Sequence, residues 1–107
     1  MEDIVPTEFQ LSQNYPNPFK KETIIKYCVP DNMEIRLEVF DSDRNKVKTL
    51  VKEIKKAGTH KVEFNANELV SGEYLYKLET RDPSASLPAG RQGSGQSFVE
   101  TKKMIVL

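Results

Sequence analysis

The sequence predicts an all-β fold, an immunoglobulin-like antiparallel β-sandwich of about seven strands. Three observations lead there. Short runs alternate apolar and polar residues with a period of two, and clusters of Gly, Pro, Asn and Asp separate them. No segment sustains a helical period over about ten residues, although Glu53 to Lys56 has room for a single turn. Runs of this length and spacing suit a two-sheet sandwich, with a small barrel as the alternative closure. At 107 residues the chain reads as one domain, 1–107. That length buries roughly two-thirds of the surface exposed on unfolding, enough for a two-layer core.

The elements follow in order. Leu11-Ser12-Gln13-Asn14-Tyr15-Pro16-Asn17-Pro18-Phe19 spends two prolines and an aromatic pair on a segment that cannot be helix. It is expected to follow a sheet edge in polyproline-like geometry, shielding that edge, with Tyr15 and Phe19 packed against the core. Thr23 to Val29 sets Ile25, Tyr27 and Val29 on one face and Lys26 and Cys28 on the other. After a turn at Pro30-Asp31-Asn32, the run from Glu34 to Phe40 alternates Ile35, Leu37 and Val39 against Glu34, Arg36 and Glu38 without exception. A turn cluster from Asp41 to Asn45 leads into a short strand, Val47 to Val51, expected to fray in the charged stretch Lys52 to Lys56. Ala57-Gly58 breaks that stretch. Thr59 to Phe64 then turns Val62 and Phe64 inward, Gly72 to Thr80 aligns Tyr74, Tyr76 and Leu78, and Phe98 to Leu107 ends on Met104 and Val106.

Leu69-Val70-Ser71-Gly72-Glu73-Tyr74 has the spacing of a tyrosine corner, in which the phenol bonds back to the preceding loop. Between Thr80 and Phe98 the composition changes to Ser, Gly, Pro and Ala with Leu87 as its one large apolar residue. Residues 81–97 are therefore expected to form a flexible loop insertion before the last strand.

Composition excludes several function classes. Sixteen basic residues balance sixteen acidic ones, so no net field gathers nucleic acid or anionic lipid. Cys28 is the sole cysteine, which leaves no intrachain disulfide, and its expected outward face lacks a histidine to activate a thiolate. His60, the sole histidine, is expected on the polar side of its strand, without a second ligand for a metal. Asp41-Ser42-Asp43-Arg44-Asn45 imitates the start of a calcium loop, but Lys46 stands where such a loop needs glycine and Lys52 where it needs its closing glutamate. No catalytic, cofactor or metal site is expected. Met1-Glu2-Asp3 opens no hydrophobic signal peptide, so an exported form is expected to have lost its leader or to be part of a larger precursor.

Five segments, the motif Leu11 to Phe19, Thr23-Ile24-Ile25-Lys26-Tyr27, Ala57-Gly58-Thr59, Ser71-Gly72-Glu73-Tyr74 and Lys102-Lys103-Met104, resemble in order and spacing the type A C-terminal sorting domain of the type IX (Por) secretion system. The immunoglobulin-like domain of flagellar hook-capping proteins is related in pattern. The chain departs from the family habit in ending on Leu107 rather than a basic residue, in carrying Lys56 where a proline usually precedes Ala-Gly, and in its long insertion.

The resemblance implies a non-enzymatic module that directs a covalently attached N-terminal cargo through the periplasm and the outer-membrane translocon to the cell surface or medium. A sortase-like peptidase that removes the domain is a further implied partner. Carried over by residue, the recognition signal is Lys102, Lys103, Met104, Ile105, Val106 and Leu107, while Tyr15, Phe19, Gly72 and Tyr74 are structural. Weak homodimerisation along an exposed edge strand is compatible with the pattern. A structural or adhesive module is the rival reading, and a carbohydrate-binding one would need an exposed platform from Tyr15, Tyr76 and Phe98.

Overall fold

Strict alternation in a strand sends every second side chain to the same face, so two such strands sets can enclose a core only by facing each other. In a computed structural model, which describes residues 8–67, 69–81 and 98–107, they do so as two antiparallel sheets. The strands are β1 (Gln10–Leu11), β2 (Glu22–Val29), β3 (Met33–Asp41), β4 (Lys46–Lys55), β5 (Gly58–Asn65), β6 (Gly72–Arg81) and β7 (Phe98–Val106). One sheet has the order β1-β2-β5 and the other β4-β3-β6-β7. Ile25, Tyr27, Val29 and Phe64 from the first meet Ile35, Leu37, Val39, Tyr76, Leu78 and Met104 from the second, all of them buried. The expected all-β sandwich is the observed fold. The expected loop insertion lies, apart from Arg81 at the end of β6, outside the described residues.

The tyrosine corner forms as the spacing requires. The Tyr74 hydroxyl donates to the Val70 carbonyl oxygen at 2.7 Å, and Gly72 between them takes φ 147°, a conformation that side chains resist. The Asp41 to Asn45 turn is a local cap, in which Asp41 Oδ1 accepts from the backbone N–H groups of Asp43 and Asn45, both at 2.9 Å. Among the described residues no group of three potential metal ligands assembles.

Four expectations need correction. Tyr15 does not join the core: it is 79% exposed and contributes only its backbone, which exchanges two hydrogen bonds with Ile24. The proline segment does not simply follow one edge, because it crosses from β2 to β7, as described below. β4 does not fray after Val51. Its ladder with β3 continues to the pair Met33↔Lys55, since backbone pairing tolerates charged, outward side chains, and register shifts beside Glu38 and Phe40 leave Val51 as its single buried residue. His60 shares the parity of Val62 and Phe64 and so lies on the inner side of β5, its ring 5.4 Å from that of Tyr27 and its Nε2 2.8 Å from the Lys56 carbonyl oxygen.

Candidate functional site

β7 is the edge strand of the larger sheet, paired to β6 from Thr80↔Phe98 to Gly72↔Val106. Its even-numbered residues face inward. Met104 and Val106 are buried in the core, while Lys102 stays half-exposed nearer the rim, with its Nζ 3.3 Å from Glu100. Inward-facing charge of this kind discourages stray strand addition. The odd-numbered residues face outward. Lys103 is exposed with Nζ 3.7 Å from Glu73, Ile105 is half-buried, and Leu107 is 58% exposed. The six expected signal residues thus divide into an outward trio, Lys103, Ile105 and Leu107, and an inward trio, of which Met104 and Val106 are out of a partner's reach while β7 stays in its sheet and Lys102 stays half-exposed at the rim.

An edge strand also presents unpaired backbone groups, and here the proline-rich segment meets them. Gln13 Nε2 donates to the Lys103 carbonyl oxygen at 2.6 Å. The Ile105 N–H donates to Asn17 Oδ1 at 2.9 Å. The Phe19 N–H donates to the Ile105 carbonyl oxygen at 3.0 Å, and the Leu107 N–H donates to the Phe19 carbonyl oxygen at 2.8 Å, making a parallel bridge between Phe19 and Val106. The Phe19 ring is buried, edge-on to Phe64 at 6.2 Å. Residues 13–19 therefore act as a bracket along the end of β7 from Lys103 onward.

The bracket is anchored at its other end by buried polar contacts. The backbone N–H of Asn14 donates to the Tyr76 hydroxyl at 2.7 Å, and that hydroxyl donates to the Ser12 carbonyl oxygen at 2.7 Å. Asn14 Nδ2 donates to Thr23 Oγ1 at 3.0 Å and to the Pro16 carbonyl oxygen at 3.1 Å, and Thr23 Oγ1 donates to that same carbonyl at 2.8 Å. Both prolyl bonds, Tyr15-Pro16 and Asn17-Pro18, are cis. Burial pushes the Tyr76 phenol up to about 12, opposed by the Asn14 N–H and reinforced by the Glu100 carboxylate. Burial, aided by Glu53, likewise pushes Tyr27 up to about 12. Both phenols stay neutral at ordinary pH, which suits a hydroxyl that must donate as well as accept.

Cys28 contacts only Gln10 and Thr59, with Sγ 3.8 Å and 3.4 Å from their side-chain oxygens. Tyr76 is fully buried and Phe98 stacks on Phe9 at 5.1 Å, so Tyr15, Tyr76 and Phe98 make no shared platform for a sugar. The larger sheet thus presents one bracketed edge strand, β7.

A family model described as the secretion system C-terminal sorting domain matches residues 13–86. The chain belongs to this family. It is a sorting signal for type IX secretion: attached to an N-terminal cargo, it engages the secretion machinery, and the route runs through the periplasm to the cell surface or the extracellular space. The family is a signal family rather than a catalytic one. No curated protein and no solved structure matches the chain.

Within this sorting domain the matched span opens at Gln13, the first bracket residue that touches β7, and takes in the tyrosine corner. Sequence reasoning singled out the proline motif but missed Gln13, Asn14 and Asn17 as the residues that act in it. Their amides carry no periodicity, and the available signal was only that Asn17 sits between the two prolines and Asn14 two residues before the first.

Proposed function

We propose that the closing strand β7, with Lys102, Lys103, Met104, Ile105, Val106 and Leu107, is the part of the sorting domain that the outer-membrane translocon reads. The observation that carries this reading is the edge position of β7, with Lys103, Ile105 and Leu107 side by side on its outward face. A charged residue beside two apolar ones gives a partner both orientation and pockets to fill. A sortase-like peptidase that separates cargo from domain belongs to the same reading. Weak self-association along an edge is its least favoured part, because β4, the other edge of the larger sheet, carries Lys46, Lys48, Lys52 and Lys55, which repel a second copy.

The test replaces Lys103, Ile105 and Leu107 together by serine in a reporter fusion. Replacing the exposed Lys103 and Leu107 costs little stability, about 0.5 kcal/mol each, and replacing the half-buried Ile105 about 1 kcal/mol. Export is expected to fall by about tenfold or more, equivalent to a loss of at least about 1.4 kcal/mol of recognition. Export at the parental level with the triple variant folded contradicts the reading.

A further inference from the structure

Each bracket contact on β7 falls where a neighbouring strand would make one. The Lys103 carbonyl receives a donor, the Ile105 N–H finds an acceptor, the Ile105 carbonyl receives a donor, and the Leu107 N–H finds an acceptor. The first two come from the side chains of Gln13 and Asn17, and the last two from the backbone of Phe19, which runs parallel to β7. We infer that the edge of β7 from Lys103 to Leu107 is a strand-addition site for an extended, parallel segment of the secretion machinery, and that the bracket holds this site until that segment displaces it.

The bracket itself displays the chemistry of the occupant. That segment presents a backbone donor opposite Lys103, alternating acceptor and donor opposite Ile105, an acceptor opposite Leu107, and an apolar side chain for the space beside Phe64 that the Phe19 ring fills. Side-chain amides imitate a strand without extending the sheet, because they leave no further pairing edge behind them. The bracket is therefore a cover that protects the edge from stray pairing and yields to a continuous strand. Displacement frees no buried charge, since residues 13–19 of the bracket carry none. This inference rests on β7 being the recognised element.

The probe is a synthetic peptide with the sequence of residues 11–20. In the intact chain the tethered bracket competes with it at an effective concentration on the order of millimolar. In the variant Gln13→Ala/Asn17→Ala the two amide contacts are gone, and the peptide is expected to bind about tenfold or more tightly than to the parent, the equivalent of two net hydrogen bonds. Equal affinity for both chains, or binding to neither, overturns the inference. Hydrogen exchange on the unmodified chain gives an independent reading. The Ile105 and Leu107 amides, bonded to the bracket, should exchange faster than the Met104 and Val106 amides, which alternate to the β6 side. Exchange at one common rate means that the bracket does not open by itself and overturns the inference.

Export separates this inference from the reading beneath it. If deletion of Lys102 to Leu107 blocks export and Gln13→Ala/Asn17→Ala exports at least as fast as the parent, both stand. If the deletion blocks export but the bracket variant exports more slowly, the bracket inference fails alone. If the deletion leaves export unchanged, the reading of β7 fails and takes the inference with it.

Discussion

Asn17 accepts a hydrogen bond from the backbone of Ile105 at 2.9 Å, across a sequence separation of 88 residues. The contact joins the proline motif near one end of the chain to the closing strand at the other. A segment that looks like a lead-in is thus part of the environment of β7, and the edge of that strand is held by residues remote from it in sequence.

Asn14 is the pivot of this arrangement, buried and donating through Nδ2 to both Thr23 and Pro16. Removing a buried donor leaves its partners short of a bond. Asn14→Ala is expected to cost about 2 kcal/mol in urea denaturation, and Asn14→Asp at least as much, since a carboxylate cannot donate to the Pro16 carbonyl. A midpoint unchanged in both variants contradicts the anchoring role.

Tyr74→Phe removes the hydroxyl that bonds Val70 and keeps the ring in the core. The expected cost is about 1 kcal/mol, or a fall in Tm of about 4–8 °C for a chain of this size. Calorimetry that finds no fall would remove the tyrosine corner from the account of stability.

Two phenols set the alkaline limit. Tyr27 and Tyr76 are raised from 10.0 to about 12 in the folded state, so between those values the unfolded chain loses protons that the folded chain keeps. Stability from this source is complete below about pH 10 and is lost as pH rises toward about 12. Thermal melts across that window should show a steep decline, shallower in Tyr27→Phe. An identical slope in the variant means that Tyr27 does not titrate with unfolding.

The strands were legible because their alternation is local. Ile35, Leu37 and Val39 face the core just as their spacing requires, and the Leu, Gly and Tyr of residues 69–74 specify the corner by turn geometry alone. The bracket was not legible. Whether Tyr15 or Phe19 enters the core depends on where β7 lies, and no pattern within nine residues contains that information. Phe19 is buried because Val106 and Phe64 surround it, while Tyr15 turns out at the bridge to Ile24. Glu38 shows the same limit. Its alternation places it outward, yet it is buried, with Lys46 Nζ 3.0 Å from its Oε2 across a register shift that the sequence does not announce.

The central claim is that this chain is a sorting domain whose signal resides in β7. The most direct measurement fuses residues 1–107 to a periplasmic reporter in a host with type IX machinery, alongside the same fusion lacking Lys102 to Leu107, and compares extracellular with periplasmic reporter. The account predicts export of the first and periplasmic retention of the second. Retention of both, or export of both, would contradict it.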